Sequence, residues 1–376
     1  MSELVFGNGR IVTADKVIDN GTVKVTGGRI AAVDEGRAAV SIDLGGDYLL
    51  PGLVELHTDH LERHAAPRPG VRWPMRSAFL AHDAQIAGAG ITTVLDALTL
   101  GDFDQGALRA TMYQDAIDAL DTLAPLTRAE HFLHLRCEIA VAGAAKAFDS
   151  FIDHPRAKLV SLMDHTPGQR QFVDVAKYYE YYQGKFGYTD AQMQAMVERR
   201  RNDQLQYADW QRRHVVEACA ERGTMVASHD DATADHIDEA VAAGVTIAEF
   251  PTTREAAKAA HAKGLTVIAG APNVVRGGSH SGNIAAAELA REGLLDALSS
   301  DYVPSSLLQA AFDLHSKLEL PLAAAVSIVS RNPARMVGLE DRGEIAVGRR
   351  ADLVQVRLVG QLPVVRGVWR EGRRVA

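Results

Sequence analysis

The stretch Pro51-Gly52-Leu53-Val54-Glu55-Leu56-His57-Thr58-Asp59-His60 is mostly apolar until it ends in a cluster of ionisable side chains. A strand of a parallel sheet covered on both faces reads as a near-continuous apolar run, and functional groups collect where such strands end. The same form recurs downstream. Residues 53–59, 91–99, 132–139, 158–165, 225–230, 245–250, 265–271 and 295–301 all read as strands, with helical segments such as 104–122, 234–243 and 254–263 between them. Eight strand–helix units in one run predict an α/β fold, a TIM-like (β/α)8 barrel.

Working outward, the chain ends are different. Residues 4–6, 10–13, 21–26 and 29–33 read as short strands, punctuated by Gly7-Asn8-Gly9 and Gly27-Gly28 as turns. Residues 343–347, 352–356 and 363–370 read the same way. Two all-β ends around an α/β middle predict a small β-sandwich built from residues 1–51 and 331–376, with the barrel at 52–330. Residues 169–223 interrupt the alternation with a long polar helical insertion carrying Tyr178, Tyr179, Tyr181, Tyr182 and Arg199-Arg200-Arg201. A solvated helical hairpin is the plainer expectation there, and a lid over the site is the functional one.

Composition narrows the class. The 376 residues are 47% hydrophobic and 23% charged, which is ordinary for a globular chain and suits one barrel plus an accessory domain. The net charge of −8 argues against a general nucleic-acid binder. Cys137 and Cys219 lie in apolar stretches and read as reduced, buried thiols. No apolar run approaches the length of a membrane span, and no signal segment is evident at the start. A cytoplasmic protein without membrane contacts is therefore expected, and a homodimer is compatible with the sequence.

The strand ends carry the chemistry. His57 and Asp59 share a face of strand one, strand three ends in Glu138, strand four in Asp164-His165, strand five in His229-Asp230-Asp231, and strand eight in Ser300-Asp301. One histidine at a strand end is usually structural; five such ends of eight point to metal binding. Imidazole and carboxylate without thiolate suit one or two divalent ions such as Zn, Mn or Fe. The expected ligands are His57, Asp59, Glu138, His165, His229 and Asp301, with Asp301 also able to take a proton from the attacking water. Asp164, Asp230 and Glu249 remain open between substrate contacts and support of the metal. His64, His82, His131, His154, His214, His236, His261 and His315 fall on expected helices, loops or strand starts and read as structural or surface residues.

Pro51-Gly52-Leu53-Val54-Glu55-Leu56-His57 resembles the approach to strand one in the amidohydrolase superfamily. Asn332-Pro333-Ala334-Arg335 and the run from Gly343 to Val354 resemble that superfamily's return to its sandwich. Two departures stand out. Asp59 replaces the second histidine of the usual strand-one pair, and Lys158 lies at the wrong end of strand four to serve as a carboxylated lysine, so Glu138 is the better bridging candidate. The chain resembles one family within the superfamily more closely, the α-D-ribose 1-methylphosphonate 5-triphosphate diphosphatases of the carbon–phosphorus lyase pathway. The likeness rests on His57-Thr58-Asp59-His60-Leu61-Glu62, Pro67-Arg68-Pro69, His134-Leu135-Arg136-Cys137-Glu138, the run from Leu162 to Arg170, Ala227-Ser228-His229-Asp230-Asp231, the run from Arg276 to Asn283, and Ser300-Asp301-Tyr302. It implies hydrolysis of a ribose 5-triphosphate to the 5-phosphate with release of pyrophosphate.

The chemistry fits without the family. A triphosphate needs cations and backbone amides. Arg276, Gly277, Gly278, Ser279, His280 and Ser281 follow strand seven and open an apolar segment, where Ser281 or Asn283 could cap a helix whose N-terminus favours anions. Arg68, Arg72 and Arg170 also follow barrel strands closely and are candidate phosphate contacts. The expected reaction is attack of a metal-activated hydroxide on the α phosphorus, with His229 and Asp301 as catalytic residues and a small phosphorylated molecule as the substrate. The rival reading is an amide or cyclic-amide hydrolase, similar to a deacetylase or dihydroorotase, which would not call for the Arg, Gly and Ser cluster. A non-catalytic barrel scaffold is more remote, since the strand ends keep their ligating residues.

Overall fold

The computed structural model describes residues 3–36, 39, 41–101, 107–170, 175–279 and 282–376. Sixteen strands are seen among them: β1 (Glu3–Val12), β2 (Val17–Thr26), β3 (Arg29–Asp34), β4 (Ile42–Asp43), β5 (Tyr48–Pro51), β6 (Leu53–Thr58), β7 (Ile91–Leu100), β8 (Glu130–Glu138), β9 (Ala157–Met163), β10 (Met225–His229), β11 (Ile247–Glu249), β12 (Thr266–Gly270), β13 (Ala297–Ser299), β14 (Leu353–Val359), β15 (Leu362–Arg370) and β16 (Arg373–Arg374). Strands β6 to β13 form one sheet in strict sequence order, with helices between successive strands. The first and last strands of that order meet: Thr58 bridges Asp301 in parallel, and Asp301 N donates to His57 O at 3.1 Å. This is the eight-stranded barrel expected from the apolar runs, and β6 and β7 are buried along their whole length.

The remaining strands make a second sheet in the order β16-β15-β14-β5-β1-β2-β3, with β4 paired to β1. Both chain ends thus share one sheet, around a core that includes Phe6, Ile11, Val23, Ile30, Leu49, Leu353 and Trp369. Two expectations are corrected here. Gly7-Asn8-Gly9 is not a hairpin turn but an irregularity inside the single strand β1, where the pairing with β2 shifts register between Phe6 and Arg10. Gly9 is needed there because a Cβ would lie 2.6 Å from Asp47 O and 2.7 Å from Leu44 Cβ. Residues 343–347 are not a strand. Gly343 has φ +83, and a Cβ would fall 2.7 Å from Ser330 O. Gly343→Ala is therefore expected to lower the unfolding free energy by about 2 kcal/mol or more, read from chemical denaturation.

By compactness the chain divides into two units, one of residues 1–96, 115–132 and 269–376, the other of residues 97–114 and 133–268. The first contains a buried ion-pair knot. Glu130 accepts from Arg342 Nη1 at 2.6 Å and from Arg350 Nη1, and Arg342 also donates to Thr93 Oγ1 at 3.0 Å. Burial would raise the Glu130 carboxyl, but the two guanidinium groups outweigh it and hold the carboxyl at about 2, below its ordinary 4.5. A depressed carboxyl stabilises the fold above its unfolded value, and that contribution disappears as pH falls from 4.5 toward 2. Glu130→Gln removes the shared carboxylate from two buried arginines that retain Asp341 and Asp352, so a loss of about 2 kcal/mol at neutral pH is expected in urea unfolding. The variant's deficit should shrink in acid.

In the second unit, β9 is followed by the helices Val175–Phe186 and Asp190–Arg222. The long helix begins with a capping box in which Thr189 and Gln192 satisfy each other's backbone, and it stops at Gly223 in the left-handed conformation. Arg200 is 1% exposed and lies over the rings of Tyr178 and Tyr182 at 5.6 and 4.9 Å, so it serves the packing of the two helices.

Candidate active site

The strand-end residues expected as ligands do stand at the carboxyl ends of the barrel strands. In the first unit, His57 is the penultimate residue of β6, Asp59 follows that strand, and Asp301 lies two residues beyond β13. His57 is 1% exposed, and Asp59 and Asp301 are partly open. Glu55, which the sequence reading left unassigned, organises this group. It is fully buried and accepts from His57 N at 2.7 Å and Ser300 N at 2.6 Å. Ser299 Oγ lies 2.8 Å from Glu55 Oε1 and 2.5 Å from His57 O. The carboxylate therefore pins β6 to β13 directly behind His57 and Asp301. Burial pushes its pKa up to about 7 against the pull of these hydrogen bonds. Glu55→Leu would strand several buried donors, and a loss of about 3 kcal/mol in urea unfolding is expected. Wild-type stability would refute that role.

In the second unit, Glu138 ends β8, His229 ends β10 and His165 stands two residues beyond β9. His165 Nδ1 pairs with Glu138 Oε1. Asp230 Oδ2 lies 2.9 Å from His229 Nδ1 and 3.7 Å from His165 Nε2. Ligand atoms of His165, His229 and Asp230 converge to within 4.8 Å of one another. Glu138 Oε2 is buried without a hydrogen-bond partner. Two imidazoles, two carboxylates and an unsatisfied carboxylate oxygen make a donor set suited to a divalent cation. Burial opposes charge on His165, but Glu138 and Asp230 outweigh it and raise its pKa to about 10. Despite burial, His165 holds the Glu138 carboxyl below its usual range, and His229 with His165 holds the Asp230 carboxyl below its own.

Glu249, the last residue of β11, is fully buried beside this group. It accepts from Ser161 Oγ at 2.7 Å and lies 3.7 Å from His229 Nε2, while His134 Nε2 is 2.6 Å from Ser161 Oγ. Sequence alone places it near its strand end without distinguishing a substrate contact from support of a metal. Backbone strain recurs just beyond the strand ends. Asp230, Phe250 and Asp301 all have φ between 53 and 56, each just beyond a strand end. For a bulky residue such as Phe250 that conformation is rare, and such outliers gather at functional sites.

The phosphate candidates divide. Arg68, Arg72 and Arg276 are exposed. Arg170 is 6% exposed with φ +42, and its guanidinium is held by Asp231 and by Glu239 at 2.9 Å, so a phosphate would have to compete with two carboxylates. The glycine-rich run also differs from expectation. Gly277, at φ +83, terminates a helix Ala271–Arg276 that Pro272 starts; the next helix, Ala286–Arg291, begins after Ala285 without a side-chain cap. Asn273 instead reaches across, accepting from Ala286 N at 3.0 Å. Gly278 and Ser279 are partly exposed, and His280 and Ser281 lie outside the described residues.

Comparisons with known proteins agree with this fold. The model of the Amidohydrolase family matches residues 184–375. The α-D-ribose 1-methylphosphonate 5-triphosphate diphosphatase of Escherichia coli strain K12 is 45% identical over 380 residues, covering 99% of this chain and all of the relative. Among solved structures, dihydropyrimidinase from Brevibacillus agri superposes with a TM-score of 0.66 at 14% identity, covering 99% of this chain and 95% of that one. N-acetyl-D-glucosamine-6-phosphate deacetylase from Mycobacterium smegmatis does so with a TM-score of 0.65 at 18% identity, covering 99% and 100%. At such identities the solved structures establish the fold alone.

Proposed function

The chain belongs to the amidohydrolase family, and on that premise we propose that it is a diphosphatase cleaving α-D-ribose 1-methylphosphonate 5-triphosphate to the 5-phosphate and pyrophosphate. The observation that carries this reading is the end-to-end match to the Escherichia coli diphosphatase. The donor set at the strand ends supports it, since hydrolysis of a phosphoanhydride calls for charge neutralisation and an acidified water.

His57, Asp59, Glu138, His165, His229 and Asp301 would hold one or two divalent ions, with Asp230 added by its place beside His165 and His229. Such an ion, when bound, supplies Lewis acidity that acidifies water and draws charge from phosphoryl oxygens. The protein's own groups do the rest. Asp301 accepts the proton of the attacking water at its carboxylate. Glu55 fixes the backbone carrying His57, and through Ser299 and Ser300 the position of Asp301. Arg68, Arg72 and Arg276, with the amides at Gly277, Gly278 and Ser279, would neutralise the departing pyrophosphate. The α phosphorus gains an oxygen from water, the bond from it to the bridging oxygen breaks, and the electron pair leaves with pyrophosphate.

Turnover in heavy-oxygen water tests the site of attack. The label is expected in the ribose 5-phosphate product and not in pyrophosphate, read by mass spectrometry. Label in pyrophosphate would place the attack on the β phosphorus and contradict the mechanism.

A further inference from the structure

A second group of histidines lies in the first unit, beginning one residue after Asp59. His60 precedes the helix Leu61–Ala65 and His64 is in that helix, four residues on; His82 comes from the helix Met75–Gly88. The ring centroids are 5.0 Å apart for His60 and His64, 5.8 Å for His60 and His82, and 6.1 Å for His64 and His82. One ligating nitrogen from each ring falls within 4.8 Å of the other two. His60 and His82 are 4% and 0% exposed. His60 Nδ1, His64 Nε2 and His82 Nδ1 are each buried without a hydrogen-bond partner.

A histidine settled in a core uses both ring nitrogens, because a buried lone pair or N–H left unsatisfied costs free energy. Each of these three rings has a buried nitrogen to satisfy, and a ligating nitrogen of each lies within reach of the other two. The far side of His82 shows which kind of partner suits its ring. Its Nε2 lies 2.8 Å from Asp96 Oδ1, while Asp96 Oδ2 lies 2.7 Å from His131 Nδ1 and His131 Nε2 lies 3.2 Å from Asp83 Oδ1. A carboxylate accepting from Nε2–H fixes the tautomer that leaves Nδ1 as a lone-pair donor, the arrangement that supports a metal-ligating imidazole. Asp96, on β7, faces the helix that carries His82 through this 2.8 Å contact.

We propose that His60, His64 and His82 form a separate cation site, taking one borderline divalent ion such as Zn²⁺ through three imidazoles. With neither carboxylate nor thiolate among its three donors, it disfavours hard ions such as Mg²⁺ and Ca²⁺. The ion clamps the two helices on either side of the segment that carries Arg68 and Arg72. This proposal is independent of the reaction assigned to the strand ends.

The test is a metal count on the whole protein. Chelator-stripped protein is titrated with Zn²⁺ by calorimetry and with Co²⁺ by visible absorption, as wild type, His64→Ala and His229→Ala. His64 is partly exposed on a short helix, so its truncation is the variant least disruptive to folding. The expected result is that His64→Ala binds one equivalent fewer, or binds it at least ~100-fold more weakly, and loses one Co²⁺ spectral component. That component persists in His229→Ala. As a check that needs no variant, one equivalent of Cu²⁺ added to wild type holding Zn²⁺ at the strand ends should show nitrogen coupling from three imidazoles by electron paramagnetic resonance. Unchanged stoichiometry and spectra in His64→Ala, or wild-type Cu²⁺ coupled to fewer than three nitrogens, would overturn the proposal.

Discussion

His229→Ala is expected to lower kcat/KM for pyrophosphate release by about a thousandfold or more and to reduce the bound metal in step. His229 ends β10 at 5% exposure, with Asp230 Oδ2 at 2.9 Å and Glu249 Oε2 at 3.7 Å from its two ring nitrogens. Phe250 packs edge-on against the ring at 5.4 Å, so its orientation is set by packing as well as by charge. Alanine removes a donor from the centre of the group formed with His165 and Asp230. An ion at such a site contributes several kcal/mol to transition-state charge, and each 1.36 kcal/mol is a factor of about ten in rate. Parallel measurement of kcat/KM, metal content and thermal unfolding separates loss of the ion from loss of the fold. A folded variant retaining more than about a tenth of the activity would remove His229 from the ligand set.

The second large effect is expected at Asp301. Its φ of +53 is a conformation asparagine also tolerates, and its backbone N donates to His57 O at 3.1 Å in a contact the substitution keeps. Asp301→Asn thus changes the carboxylate while preserving the backbone that carries it. Loss of a positioned general base lowers kcat by about 10²- to 10⁴-fold. KM is expected to stay within a few-fold, because the group acts on the water and not on the ribose. A large rise in KM at unchanged kcat would make Asp301 a substrate contact.

The sequence carried the barrel because the pattern of its strands is local: β6 and β7 are buried throughout, and apolar residues recur along each. The alternation that puts His57 and Asp59 on one face is likewise a property of a single strand. What escaped depends on partners far along the chain. Glu55 reads as an interruption in an apolar strand until Ser299 and Ser300, about 245 residues later, are seen to bond to it. The four-residue spacing of His60 and His64 is local, but His82 joins them only through the packing of two helices. Glycine was ambiguous in both directions. Gly27-Gly28 turns β2 into β3 with φ of +61 and +80, as its type predicts, whereas Gly9 and Gly277 serve a close approach and a helix stop.

The central claim is the reaction, and its most direct test is product analysis with purified, Zn- or Mn-loaded protein. α-D-Ribose 1-methylphosphonate 5-triphosphate, ATP and an N-acyl sugar phosphate are supplied in parallel, and pyrophosphate, orthophosphate and free amine are followed. The account predicts rapid pyrophosphate release from the ribose triphosphate, abolished by chelation and restored by the metal. Turnover of the acyl compound with no phosphorus product would contradict it, and would make this member of the amidohydrolase family an amide hydrolase.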